Sequence, residues 1–329
     1  MTHYYVFNGD ADGLCALQQL RLAASPTGEC VLVTGVKRDI ALLERVRGGP
    51  DDECTVLDVS LDVNRAALVR LLDAGTRVRY FDHHFAGEVP SHPKLESHVD
   101  TGPRVCTSLL VDRYLGGSFR GWAVAGVFGD SLNDEGHTLA REARLSQESA
   151  ERLKDLGVAV NYNAYGETIA DLHVPPAVLA EEMRGYADPL AFLERSETFR
   201  RLASGFRSDM ELARQLEPRS STAHSVLYVL PVAAWARRAS GTFANDVAKA
   251  FVGRAIAIVS PKTGGGYLVS VRAPEGSSTS ADAFCRTFPT GGGRKTAAGI
   301  NHLPGEDLES FAAAFEEAFE TVRRGESRS

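Results

Sequence analysis

No apolar run in this chain approaches the length of a membrane span, and the first residues show no basic stretch followed by an apolar core. A soluble, cytoplasmic protein without a secretory leader is therefore expected. Cysteine is scarce and scattered: five residues (Cys15, Cys30, Cys54, Cys106 and Cys285), with no CxxC pair and no framework spacing. That argues against a disulfide scaffold and predicts reduced thiols, mostly filling the core. Positive charge is not in excess either. The 36 Lys and Arg against 43 Asp and Glu leave a formal net charge of -7, so long duplex nucleic acid held by phosphate neutralisation is not an expected partner. A local basic pocket for a small anion remains compatible with that balance. Internal repeats and low-complexity tracts are also missing.

What is present is a globular composition, 43% hydrophobic and 24% charged over 329 residues, enough for one large or two ordinary domains. Across the first 130 residues, "YYVF", "CVLVTG", "CTVLDV" and "RVRYFD" are apolar or β-branched runs of the kind that form strands covered on both faces. Between them "DGLCALQQLRLAA", "DIALLERV" and "NRAALVRLLDAG" carry apolar residues at helical spacing. This alternation predicts an α/β fold, a mostly parallel sheet with helices on both faces. More helix is expected to about Leu216, interrupted by a polar turn at "VNYNAYGET". A break at "EPRSSTAHS" precedes a second, smaller α/β region. There "SVLYVLPV", "RAIAIVS" and "GGYLVSVRAP" read as strands, "PTGGGRKTAAGINH" as a Gly-rich loop and "DLESFAAAFEEAFETVRR" as an amphipathic helix. The closing "RRGESRS" reads as a frayed tail.

The acids fall at one edge of the predicted sheet. Asp10 and Asp12 follow the first strand, Asp58 closes the third, and Asp82, His83 and His84 close the fourth. In parallel sheets ligands bind at the carboxyl ends of strands. Taken singly, each Asp could cap a helix. Taken together, with a His pair and with Asp130 inside "GVFGD", they match the donors of hard and borderline divalent cations. Two cations about 3.5–4 Å apart would neutralise such a cluster and clamp a phosphoryl group. On an extended segment, positions 8, 10 and 12 would point the same way, which would add the neutral Asn8 to the cluster. In the C-terminal half, Gly291, Gly292 and Gly293 beside Arg294 and Lys295 could bring backbone amides and two cations to an anion; the alternative is a plain flexible turn.

The sequence resembles the DHH phosphoesterases over nearly its whole length. "NGDADG", "VLDVS", "FDHH" and "GVFGD" resemble four motifs of that family in order, and "VSVRAP" and "GGGRKTAAG" its associated C-terminal domain, most similar to the nano-RNase and RecJ-like branch. The resemblance implies a catalytic metal-binding domain over 1–200, a helical linker over 201–222 and a substrate-binding domain over 223–329. It implies two Mn²⁺ per chain (Mg²⁺ or Co²⁺ as substitutes) with Asp58 as the bridging carboxylate, Asp12, His83 and Asp130 completing one site, and Asp10 with Asn8 holding the other. The family typically has His or Asp where Asn8 stands. Asp82 is expected to orient His83, and His84 to face the substrate phosphate, so that Asp58, His83 and His84 carry catalysis. Arg272 resembles the family's strand arginine that reaches a phosphate; Arg294 stands where the family usually has His. Gly291, Gly292, Gly293 and Lys295 complete the expected substrate contacts.

The implied activity is Mn-dependent hydrolysis of short oligonucleotides or nucleotide phosphates by a metal-activated water. Cleavage of a cyclic dinucleotide or another small phosphoester is the alternative within the same chemistry. A catalytically weakened nucleotide-binding sensor is the alternative of another class, and Asn8 is the feature that favours it. The expected partner is a small nucleotide or short oligonucleotide, with no membrane and no long duplex; a homodimer is compatible. Asn161, Tyr162 and Asn163 could contact a base or ribose, or could equally secure a helix junction. Lys37 and Arg38, after the second strand, could line the ligand cleft, but a strand-end basic pair is more often solvated. Thr107 and Ser108 read as hydroxyl caps of a helix.

Overall fold

The computed structural model describes residues 1–24 and 28–320; the tail read as frayed lies outside the described residues. The chain divides into two compact units, Met1–Phe206 and Arg207–Ser329.

The first unit is built on five parallel strands, β1 (Thr2–Phe7), β2 (Glu29–Val33), β3 (Glu53–Leu57), β4 (Arg77–Asp82) and β5 (Leu95–Val99), in the order β2-β1-β3-β4-β5. Its helices are α1 (Ala11–Ala23), α2 (Leu61–Asp73), α3 (Thr107–Tyr114), α4 (Arg120–Gly129), α5 (Asn133–Glu142), α6 (Gln147–Asn163), α7 (Pro176–Met183), α8 (Pro189–Arg195) and α9 (Glu197–Arg214). The unit boundary falls inside α9. Four of the strands were legible in the sequence. The fifth, "LESHV", was not, because it is an edge strand with exposed Glu96 and Ser97 and no apolar run. The helix expected over "DIALLERV" is a short 3-10 turn, Leu42–Arg45.

The two-residue period of a strand explains how both faces are covered. Register pairs Phe7 with Leu57 and Leu57 with Phe81, a row that packs under α1, α3, α4 and α6. One residue earlier, Val6, Val56 and Tyr80 pair in the same way and face α2. Each fully buried apolar side chain of this kind contributes about 1.5–3 kcal/mol of transfer free energy. Trp122 of α4 is fully buried in the first of these cores and donates its indole N–H to the Ala187 carbonyl at 3.1 Å. Three strands ending in register have a direct consequence. The residues that follow the Phe7–Leu57–Phe81 row, Asn8, Asp58 and Asp82, lie side by side along the carboxyl edge, and the Asn8 and Asp58 amides donate across it to Leu57 and Phe81.

The second unit contains β6 (Ser220–Ser221), β7 (Ser225–Val229), α10 (Ala234–Ala250), β8 (Ala255–Pro261), β9 (Tyr267–Arg272), α11 (Ala281–Cys285), β10 (Gly291–Gly293), β11 (Ala297–Leu303) and α12 (Leu308–Glu320). Its sheet is mixed, ordered β10-β11-β9-β8-β7-β6. Only β7 and β8 run parallel, and α10, with the half-buried Trp235 in its first turn, connects them. Phe311, Phe315 and Phe319 recur every four residues along α12 and close the core around Phe284. Among the described residues no helix is long and apolar enough to cross a membrane.

A candidate metal centre at the carboxyl edge of the sheet

Asp10 and Asp12 do not lie on an extended segment as the spacing suggested. The strand stops at Phe7 and helix begins at Ala11, so Asp10 is the N-cap of α1 and Asp12 sits in its first turn. The turn is tight enough to need glycine. A Cβ on Gly9 would stand 2.1 Å from the Gly35 carbonyl oxygen, and one on Gly13 2.3 Å from that of Asn8. Both contacts are closer than any side chain could tolerate, which accounts for the glycines of "NGDADG".

The two carboxylates then diverge. Asp10 Oδ1 accepts the amides of Asp12 and Gly13, each at 3.1 Å, while Oδ2 is ion-paired with Lys37 Nζ. Asp12 turns the other way and accepts the backbone amides of Thr107 and Ser108, both at 2.7 Å. It therefore caps α3, where its charge complements the helix dipole. The expected hydroxyl caps are otherwise engaged: Thr107 Oγ1 lies 3.3 Å from Asp58 Oδ1, and Ser108 Oγ donates to the Asp12 carbonyl at 2.8 Å.

Asp58 occupies the middle of the edge. Its φ of 58° is left-handed, a conformation that Asp and Asn tolerate better than most residues. His83 Nε2 lies 3.3 Å from Asp58 Oδ1 and 4.0 Å from Asp12 Oδ2. Single ligand atoms of Asp58, His83 and His84 all fall within 4.8 Å of one another. Asp82 does not orient His83 as expected. Its Oδ1 instead pairs with His84 Nδ1 at 2.7 Å and accepts the His84 amide, and its Oδ2 accepts the Leu61 amide. The i, i+2 geometry of a strand end makes the closer partner the second histidine. Held by Nδ1, the half-exposed His84 keeps Nε2 for another contact. Asp130, at the C-cap of α4, joins the same electrostatic neighbourhood.

Charge in this cluster is tightly balanced. Burial pushes the Asp58 carboxyl well up, and the nearby Asp10 and Asp12 push it further. Asp130 is pushed up to about 6, first by burial and then by Asp12. Burial alone would lower His83, but its bond to Asp58 and the surrounding carboxylates raise it to about 10. Burial likewise opposes a charged Lys37, and Asp10, Tyr165, Asp130 and Asp58 override it to hold the ammonium. Asp10, for its part, is held below the usual carboxylate range despite its burial, chiefly by Lys37.

Lys37 joins the cluster, the less favoured of the two readings that its strand-end position allowed. It read as solvated, yet its ammonium bonds Asp10 and also Asn161 Oδ1 at 3.1 Å, and it lies 5.6 Å from the centre of the Tyr165 ring. Asn161 thus serves Lys37. Asn163 and Tyr162 belong to the helix junction: Asn163 bridges the end of α6 to His173 and Val174, and the Tyr162 hydroxyl meets His173 Nε2 at 2.8 Å. "VNYN" is accordingly the last turn of α6 and not an irregular loop.

The donor chemistry fits one hard or borderline divalent ion at the buried Asp12, Asp58 and His83, with the partly buried Asp130 as a fourth donor in the same electrostatic neighbourhood: three carboxylates and one imidazole. It does not fit a second ion at Asn8 and Asp10. Asn8 brings no charge, its Oδ1 accepts the Asp10 amide and its Nδ2 donates to the Lys37 carbonyl, both at 3.3 Å, and a cation already pairs with Asp10.

In the second unit, the Gly-rich segment is a β-hairpin and not a loop. β10 and β11 pair antiparallel, and Arg294 and Ala297 exchange both backbone hydrogen bonds around Lys295 and Thr296. The amides of Gly291 and Arg294 are therefore taken by the Phe288 and Ala297 carbonyls and not free for an anion nest. Arg294 and Lys295 are exposed at the turn, and a Cβ on Gly292 would meet open space. Arg272 Nε bonds Asn245 Oδ1 at 3.0 Å.

No family model and no curated protein matches the sequence. Solved structures do. A RecJ exonuclease bound to manganese matches with a TM-score of 0.62 and 20% identity over 98% of this chain and 91% of the other. RecJ of Thermus thermophilus in complex with Mn²⁺ matches with a TM-score of 0.57 and 19% identity, over 98% of this chain and 52% of that longer one. The pGpG-specific phosphodiesterase PggH of Vibrio cholerae matches with a TM-score of 0.58 and 13% identity, over 97% and 99%. At such identities the likeness is one of fold: this chain has a RecJ-like DHH fold.

Proposed function

We propose that the chain is a divalent-metal-dependent phosphoesterase acting on short oligonucleotides or nucleotide phosphates, with Mn²⁺ as the preferred ion. The observation that carries this reading is the cluster at the carboxyl edge of the parallel sheet, where His83 lies 3.3 Å from Asp58 and 4.0 Å from Asp12, with Asp130 at the end of α4 in the same electrostatic neighbourhood. That edge belongs to a fold shared with a manganese-bound exonuclease and a dinucleotide phosphodiesterase. A bound divalent ion would supply Lewis acidity toward a phosphoryl oxygen and toward water. The chain's own residues do the rest. Asp12 and Asp58 would hold the ion. Asp82 fixes the His84 ring through Nδ1, leaving Nε2 for a contact with the substrate. Arg294 and Lys295 are exposed cations of the second unit and could hold an anionic group there.

The test is a hydrolysis screen in the presence of Mn²⁺ over linear dinucleotides, 3'-phosphoadenosine 5'-phosphate, cyclic dinucleotides and pyrophosphate. Turnover is expected on linear dinucleotides or the bisphosphate. Asp58→Asn, which tolerates the left-handed backbone, should lose at least ~10³-fold in turnover together with the bound ion, while its circular dichroism stays that of the parent. Turnover of none of these substrates, or an active Asp58→Asn, would overturn the reading.

A further inference from the structure

A cluster of four carboxylates that binds phosphate esters needs compensating positive charge, and a pair of divalent ions is one way to supply it. Here the position beside Asp10 is already supplied from within the chain. Lys37 Nζ reaches Asp10 Oδ2, is bonded by Asn161 Oδ1 and lies near the Tyr165 ring, while its backbone amide is pinned to the Ala164 carbonyl at 2.9 Å. Its side chain is only 25% exposed. The opposite Asp10 oxygen is committed to the first turn of α1.

Asn8 is matched to this arrangement. Its amide nitrogen donates to the Lys37 carbonyl, which a carboxylate could not do, and its neutrality spares the pair a third charge. The neutral Asn8 and the buried Lys37 are thus two halves of one device.

We propose that the Lys37 ammonium permanently holds the second cation position. The chain then takes a single divalent ion, at Asp12, Asp58, His83 and Asp130, and not a metal pair. This rests on the metal-dependent reading above, but the measurement is of stoichiometry and not of turnover. A chain that binds one ion and hydrolyses nothing would remove that reading and leave this one intact.

The experiment uses the full chain equilibrated with Mn²⁺, followed by elemental analysis and electron paramagnetic resonance. One Mn²⁺ per chain with the six-line spectrum of an isolated ion is expected. Two ions per chain with an exchange-coupled spectrum, as for ions about 3.5–4 Å apart, would overturn the proposal, and so would no bound ion at all. The double variant Lys37→Met, Asn8→Asp removes the ammonium and restores a carboxylate. It should bind a second ion and show the coupled spectrum, and a folded double variant that still binds one ion would count against Lys37 as the excluding cation. Should that variant fail to fold, the wild-type stoichiometry and spectrum decide the matter alone.

Discussion

Asp12 has two duties that pull on the same carboxylate. It faces His83 across 4.0 Å and also caps α3 through two 2.7 Å bonds to backbone amides. Removing it from the metal-free protein leaves two buried donors without partners, at about 1–3 kcal/mol for each such group, partly offset by relief of repulsion with Asp58. Asp12→Ala should therefore lower the metal-free unfolding free energy by about 2 kcal/mol in urea melts, where Asp58→Asn should change it little. A second expectation follows from the His83 proton. His83 is raised to about 10 and Asp130 to about 6 in the metal-free site, and Asp58, bonded to His83, is raised as well, so across that interval the site carries at least the imidazole proton, which an incoming cation must expel. Apparent Mn²⁺ affinity should rise by up to ~tenfold per pH unit between those values, and calorimetry in buffers of different ionisation enthalpy should show close to one proton released per ion. A pH-independent affinity in that range would remove the imidazole from the ligand set. The positions of these acids were legible in the sequence because strands announce themselves and their carboxyl ends collect ligands. Their partners were not. Lys37 meets Asp10 from 27 positions along the chain, and nothing local to "GVKRD" says that its side chain turns inward.

At the scale of elements, the hairpin of β10 and β11 alters what the triple glycine can do. A loop could have wrapped consecutive amides around a phosphate; the hairpin commits those of Gly291 and Arg294 to the Phe288 and Ala297 carbonyls and presents the exposed Arg294 and Lys295 side chains at its turn. Arg294→Ala should raise KM for a nucleotide substrate about ten- to hundredfold, the value of one charge-assisted contact, with Mn²⁺ content unchanged. An unaltered KM would remove the hairpin turn from substrate binding. Arg272→Ala is a different experiment, because Arg272 is bonded to Asn245 of α10 and its loss loosens the strand and helix that it joins. The sequence showed a Gly-rich segment but could not tell loop from ladder, since the pairing residues Ile300, Gly299 and Ala298 carry no alternation of polar and apolar character. Edge strand β5 escaped notice for the same physical reason: a strand half-exposed to water has no buried run to mark it.

Over the whole molecule, the cysteines divide sharply. Cys15, Cys54, Cys106 and Cys285 are buried and Cys30 alone is exposed, with all five free. Burial pushes all four buried thiols up, that of Cys285 to about 12. A thiol-specific reagent should therefore label one site in the native protein, Cys30, and five after denaturation; rapid native labelling at Cys285 would show that the second unit opens locally. The two tryptophans give the two-unit organisation an optical consequence. Trp122 is sealed in the first core and Trp235 is half-buried in the second unit. One emitter per unit means that Trp122→Phe and Trp235→Phe each leave a chain whose fluorescence reports the other half alone. Emission from Trp122 should be blue-shifted and weakly quenched by iodide, and that from Trp235 redder and more readily quenched. Melting the two single-emitter chains with and without Mn²⁺ would then separate, in spectroscopic terms, the half of the protein that the ion stabilises from the half that it does not.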